Sequence, residues 1–222
     1  MAAALVRPIL RCWGGETVNA ITICVGYDDF LRHTLPRMQS HFESVTVVTS
    51  LDDNRTISVG GACHANVRRT DAFYAAGAVF NKGAALDEAL RGINGGWVCV
   101  LDADIYLPST MDLAVISRGA LYSPFRRLME RPGTIPPDDQ WGKLDPGPEY
   151  TNNEYAGYFH LFHLDDIGPP PWYEENIWRT AQGCDSMFTN RWRFPKLRLP
   201  FEVLHLGTPV VNWKGRVSPQ WE

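Results

Sequence analysis

The sequence has little of what would place a protein of this size in a class at once. In 222 residues no apolar run approaches the roughly 20 residues that a membrane helix needs. Cysteine is scarce: Cys12, Cys24, Cys63, Cys99 and Cys184 are scattered, odd in number and form no C-x-x-C pair. That argues against a disulfide framework and against a paired-thiolate zinc site, which wants four ligands where Cys63 and His64 supply two. The thiols read as free, in a reducing cytoplasm. Positive charge is not in excess, with 21 Lys+Arg against 25 Asp+Glu and a net charge of -4, so general binding to nucleic acid is disfavoured. The opening MAAALVRPILRCWGG is broken by Arg7, Pro8 and Arg11 and lacks the apolar core of a signal peptide. There is no internal repeat and no low-complexity tract.

What is present is an ordinary globular composition, 45% apolar, enough for one domain or two lobes sharing a core. AITICVGY (20–27) and SVTVVTS (44–50) read as buried strands. Asp28 and Asp29 are placed to cap a helix through about Phe42, with Pro36 as a kink or the start of its second part. HANVRRTD (64–71) holds a weaker strand. NKGAALDEALRG (81–92) has Ala85, Leu86, Ala89 and Leu90 at helical spacing, and GGWVCVLDAD (95–104) is the next strand. The alternation predicts an α/β fold with a mixed, mainly parallel sheet flanked by helices. After Pro108 the texture changes. Residues 130–150 are rich in Pro, Gly and charge and read as a long, mobile loop. Strands are expected over 155–164 and 196–206, and a helix over 183–192.

The strand at 95–104 ends in Asp102-Ala103-Asp104. In an extended chain residues i and i+2 face one side, about 6.6 Å apart, so both carboxylates would meet one spot. Ligands of open α/β sheets bind beyond the carboxyl ends of parallel strands. Hard oxygen donors there suit Mg²⁺ or Mn²⁺, completed by water and substrate phosphates. The same residues also fit a plain strand end with a solvated acidic turn.

The chain resembles the GT-A glycosyltransferases, particularly the family-two-like group acting on nucleotide-sugars. Five elements carry the resemblance, in the family's order: Asn81-Lys82-Gly83-Ala84-Ala85-Leu86, the D-x-D at Asp102-Ala103-Asp104, the strand Gly157-Tyr158-Phe159-His160-Leu161-Phe162, Gly183-Cys184-Asp185, and Val203-Leu204-His205-Leu206-Gly207. It implies a single GT-A (Rossmann-like) domain over 19–216, with a nucleotide-sugar half (19–107), an acceptor half (108–205), an extension at 1–18 and a lid or tail at 206–222. It implies a divalent metal, Mn²⁺ or Mg²⁺, on Asp102, Asp104 and His205, an imidazole tipping the choice to Mn²⁺. It implies Asp185 as the base of an inverting transfer, although aspartate at a helix start is also a good N-cap.

The donor, favoured as UDP-linked, would lie over Gly26, Tyr27, Thr49 and Asp52, with Lys82 and Asp102 at its phosphates. The usual D-D-G-S-like turn is replaced here by TSLDDN, with Asp52 and Asp53. Lys214 and Arg216 would carry charge toward the diphosphate from a closing segment packed by Trp213. Trp141, Tyr150, Tyr155, Tyr158, Trp172, Tyr173 and Trp178 crowd the acceptor half as sugar platforms or as core. The acceptor stays open: a glycan, lipid-linked sugar, protein, small molecule or modified DNA base. Two other readings remain. A nucleotidyltransferase of similar sheet would show a Gly-rich phosphate loop that VGYDDFLRH lacks. A non-catalytic glycan- or nucleotide-binding module would have no need of the four site residues together.

Overall fold

The computed structural model describes residues 16–173, 179–209 and 211–221, so Cys12 and Trp178 lie outside the described residues. The first half is a parallel sheet. Strands β1 (Val18–Ile23), β2 (Ser44–Ser50), β3 (Asn66–Thr70) and β4 (Trp97–Asp102) lie in the order β3-β2-β1-β4. Helices α1 (Asp28–His41), α2 (Asn54–Ala62) and α3 (Lys82–Leu90) carry the chain between them. β1 is central, with Ile21 opposite Thr46 on one side and Val100 on the other. That is why its side chains are apolar on both faces.

Helix starts differ from one another. Asp53 caps α2 by accepting from the Thr56 N–H at 3.1 Å, and Asn81 caps α3 by accepting from the Ala84 N–H at 3.0 Å. The expected cap of α1 by Asp28 and Asp29 is not made: Tyr27 holds the cap position without a side-chain bond, and both acids sit inside the first turn. There they still face the positive end of the helix. α1 also runs on through Pro36 as one helix. The sequence does not announce α2, because its segment NRTISVGGA, with two glycines and three β-branched residues, forms a helix poorly; Asp53 begins it.

The second half is mixed. It comprises β5 (Ile105–Tyr106), β6 (Leu121–Met129), β7 (Asp145–Pro146), β8 (Phe159–His163), β9 (Lys196–Leu206), α4 (Glu149–Asn152) and α5 (Cys184–Arg191). β8 runs antiparallel to β4, with Val98 opposite Phe162, and the sheet continues β8-β6-β9-β5 with β7 on β6. β6 is a strand the sequence hides, because Pro124 sits in it. Its ladder with β9 shifts register between Ser123 and Phe125, where Leu199–Phe201 with Pro200 stand opposite Pro124. Neither proline can donate to the ladder, and the bulge absorbs both. Residues 130–150 are not the open loop expected: they contain a 3-10 turn (Asp138–Lys143), β7 and the start of α4. Trp141, 2% exposed, anchors the turn by donating to the Pro136 carbonyl at 3.0 Å.

The core lies on both faces of the sheet. Leu31, Leu35 and Met38 of α1 pack on one face against Trp97, Cys99 and Phe159. Leu86 and Leu90 of α3 and Phe188 of α5 pack on the other against Val98, Val100 and Phe162. Among the described residues, Cys24, Cys63, Cys99 and Cys184 are free thiols. No helix of the described residues is long and apolar enough to cross a membrane.

Candidate active site

A cleft of about 780 Å³ opens beyond the carboxyl ends of β1 and β4. β4 ends at Asp102, and Ala103 and Asp104 form a turn rather than further strand. The extended i, i+2 geometry expected from the sequence is therefore not what brings the two acids together. The turn itself does so. Thr34 donates to the Ala103 carbonyl at 2.7 Å, the Asp102 N–H donates to the Tyr158 carbonyl at 3.1 Å, and the Leu206 N–H donates to the Asp104 carbonyl at 2.9 Å. The Thr34 hydroxyl, the Tyr158 carbonyl and the Leu206 N–H, from three separate parts of the chain, fix the turn, and both carboxylates line the cleft.

Asp102 and Asp104 have different neighbours. Asp102 accepts from the Lys82 ammonium at 2.7 Å, and the same ammonium lies 3.3 Å from Asp185 Oδ2. Burial works against the charged Lys82, but Asp102 and Asp185 outweigh it and hold its pKa well above the usual lysine value. Asp104 stands 3.8 Å from His205 Nε2, on the β9 position opposite Ile105. Its side chain is 14% exposed, and its Oδ1 is buried with no hydrogen-bond partner among the described residues. Burial raises the Asp104 pKa, His205 opposes this, and the charge of Asp102 adds to it. A buried carboxylate oxygen without a partner is costly unless something positive meets it.

Two carboxylates and an imidazole are a donor set that Mn²⁺ or Mg²⁺ accepts, so the residues fit a divalent ion in kind. As the side chains stand, no group of three or more His, Cys, Asp and Glu among the described residues is close enough to hold one.

Asp185 faces Asp102 across the cleft. It was expected at a helix cap, but Gly183 holds the cap of α5 and Asp185 sits in the first turn, its carboxylate turned to Lys82. Gly157 makes room for it: a Cβ there would fall 1.8 Å from Asp185 Cγ. Behind this point His160, fully buried, bonds the Tyr173 hydroxyl at 2.9 Å and is structural. His163 is also buried, with its ring edge-on to Trp97.

The cleft brings Tyr27, Lys82, Asp102, Asp104, Asp185 and His205 together. Burial, followed by the charges of Asp104 and Asp102, pushes the Tyr27 pKa up. Five other candidates lie elsewhere. The Gly26 N–H donates to Asp53 at 2.7 Å, Thr49 is buried against the same carboxylate, and Asp52 is exposed and accepts from Ser50. Lys214 is exposed. Arg216, expected near the diphosphate, instead reaches away to Asp29, pairing its Nη2 with Oδ2 at 2.7 Å, and donates to the Gly26 carbonyl. The segment it belongs to nevertheless reaches the cleft, through Val211, Asn212 and Trp213. The rest of the cleft lining includes Arg126, Asn153, Glu154, Asn190 and Lys196, and apart from the charge of Arg126 no local pattern in the sequence marks these residues. These residues sit on α4, α5 and the hidden strand, or beside them. Of the crowded aromatics, Trp141, Tyr158 and Tyr173 fill the core and Tyr155 lines the cleft.

No protein-family model matches the chain, and no curated protein matches it in sequence. Solved structures do match. A mycobacterial protein aligns over 89% of this chain and 70% of its own, at 14% identity and a TM-score of 0.51. Mannosyl-3-phosphoglycerate synthase from Rubrobacter xylanophilus aligns over 88% of this chain and 68% of its own, at 16% identity and a TM-score of 0.51. The chain has the GT-A fold. In this GT-A domain the acidic turn after β4 stands at the ligand-binding end of the sheet, where the fold puts its cleft.

Proposed function

We propose that this chain is a metal-dependent glycosyltransferase that moves a sugar from a nucleotide-diphospho-sugar, UDP-linked, to an acceptor hydroxyl with inversion at the sugar carbon. The observation that carries the reading is the pair Asp102–Asp104 at the end of β4, with His205 beside Asp104 and Asp185 across the cleft. Asp102, Asp104 and His205 would hold the metal, and the unpartnered Oδ1 of Asp104 is its natural ligand atom. The metal supplies Lewis-acid stabilisation of the leaving diphosphate. Tyr27, on the wall above β1, offers a ring face to the base. Lys82 would meet the phosphates as a point charge.

In this reading Asp185 takes the proton of the acceptor hydroxyl. That oxygen bonds to the sugar carbon from the side opposite the diphosphate, and the carbon–oxygen bond to the diphosphate breaks with its electron pair leaving on the nucleotide. Arg126, Asn153, Asn190 and Lys196 give the acceptor side hydrogen-bond donors. Val211 and Trp213 form a wall that excludes water from the donor.

The test is hydrolysis of a panel of nucleotide-sugars with Mn²⁺, with Mg²⁺ and with chelator. Wild type is expected to turn over one donor in a metal-dependent way, and Asp104→Ala to lose that turnover. Asp185→Asn is expected to keep binding Mn²⁺ with the nucleotide while turnover falls by about 10²–10⁴-fold. Metal-independent turnover, or full turnover in Asp104→Ala, would sink the reading.

A further inference from the structure

Lys82 is an odd place for a cation. It lies in the first turn of α3, where the helix dipole disfavours positive charge, and its side chain is only 9% exposed. Its location is imposed by close packing. Asn81 fixes the start of the helix, and Gly83 leaves no space for a side chain, since a Cβ would meet the Tyr173 carbonyl oxygen at 2.7 Å and Cys184 Cβ at 3.3 Å. α3 therefore lies directly on the start of α5, and Lys82 is delivered between the two sides of the cleft. Asp102 at 2.7 Å and Asp185 at 3.3 Å offset the dipole and the burial together. One is a carboxylate of the donor side, the other of the acceptor side.

Two consequences follow from this placement. An ammonium 2.7 Å from Asp102 Oδ1 and a divalent ion on the same carboxylate repel each other, so they compete. The ammonium 3.3 Å from Asp185 Oδ2 also occupies that oxygen, so an acceptor hydroxyl cannot bond there until the ammonium leaves. A nucleotide diphosphate entering beside Asp102 brings more negative charge than either aspartate, and the long lysine stem lets the ammonium follow it.

We propose that Lys82 is a positioning residue that serves as an internal counter-ion. Its ammonium holds Asp102 and Asp185 together across the cleft, competes with the metal for Asp102, and is drawn off both by the diphosphate of the donor. Metal binding and release of the base are thereby tied to donor binding. The inference rests on the transferase reading above. It makes Mn²⁺ and nucleotide bind cooperatively, each raising the affinity of the other by the same factor.

The test is Mn²⁺ binding followed by electron paramagnetic resonance, with and without UDP, for wild type, Lys82→Met and Lys82→Gln, with melting temperature as the check on folding. Lys82→Gln keeps a hydrogen-bond donor without charge and serves where Lys82→Met fails to fold. Without UDP, the variants are expected to bind Mn²⁺ about tenfold more tightly than wild type or better. UDP is then expected to strengthen Mn²⁺ binding much less in the variants than in wild type. Folded variants that bind Mn²⁺ no more tightly than wild type, while wild type binds it with UDP, would overturn the counter-ion role and leave the transferase reading standing. No Mn²⁺ binding by any of the proteins, even with UDP, would overturn both.

Discussion

On the proposed donor side of the cleft, the acids after β1 and at the end of β4 take their cations from outside the sheet. Asp102 meets Lys82 of α3, and Asp29 meets Arg216, 187 residues on. On the proposed acceptor side the cations are carried by a strand of the sheet itself. Arg126 of β6 pairs with Glu149 at 3.3 Å under the ring of Tyr158, and Arg127 pairs with Glu202 at 2.8 Å over the ring of Tyr150. Glu149 and Glu202 are thus each paired with an arginine of β6. Asp104 Oδ1, by contrast, is a buried carboxylate oxygen with neither a hydrogen bond nor a close cation among the described residues. Chemistry belongs where the charge is not closed locally.

That contrast can be broken from the acceptor side first. Glu149→Leu would leave Arg126, whose side chain is 8% exposed, without its acid. The loss of stability in urea unfolding is expected to be about 3–5 kcal/mol, most of it recovered in the double variant with Arg126→Met. No recovery would mean that Glu149 matters through its other bonds, to the Arg126 N–H and the Tyr158 hydroxyl.

A smaller effect sharpens the link between the sides. Gly157→Ala pushes a methyl into Asp185, so donor turnover is expected to fall by about 10²-fold. Calorimetric binding of Mn²⁺ with UDP should barely change, because Asp102, Asp104 and His205 stay put. Unchanged turnover would remove Asp185 from the chemistry.

The smallest effect sets the background against which both are read. His41 is buried on α1, its Nε2 bonded to the Pro108 carbonyl, and burial lowers its pKa below 6.5. The unfolded chain therefore takes up this proton first. Stability from the neutral ring is present above about pH 6.5 and is lost as pH falls toward the lower folded value. His41→Gln should flatten the fall of the urea midpoint between about pH 7 and 5. The remaining slope includes His160, lowered in the same direction by burial. An unchanged slope would show that His41 keeps its ordinary pKa in the fold.

The donor side was far more legible in the sequence than the acceptor side, and the reason is periodicity. SVTVVTS is β2 residue for residue, because a parallel strand buried on both faces must be an apolar run. NKGAALDEALRG carried its own cap, Asn81. The acid pair at 102 and 104 stood out because such charge has no place at the end of a buried strand. β6 escaped because LYSPFRRLM contains a proline and two arginines, and its burial comes from a bulge and from ion pairs with distant residues. No local pattern encodes those. For the same reason the partners of Arg216 are not legible: the sequence shows that it is positive and follows His205, but not that Asp29 and the Gly26 carbonyl bind it.

The bond between Arg216 and Asp29 also fixes an order of assembly. Asp29 lies in the first turn of α1, and burial would raise its pKa were it not for Arg216 and the Trp221 N–H, which hold it down. Trp221 is 5% exposed and packs on Phe30, and Gly207 passes so close to the same ring that a Cβ would sit 2.8 Å from it. β1 to β4 pair through contacts of short and middle range, whereas this closure spans nearly the whole described chain and carries the largest loop entropy of any contact named above. It forms late. Until it does, α1 carries an unmatched acid and the wall formed by Val211 and Trp213 has no anchor. A chain still being synthesised, or one arrested partway in folding, therefore has its parallel sheet but not a finished cleft.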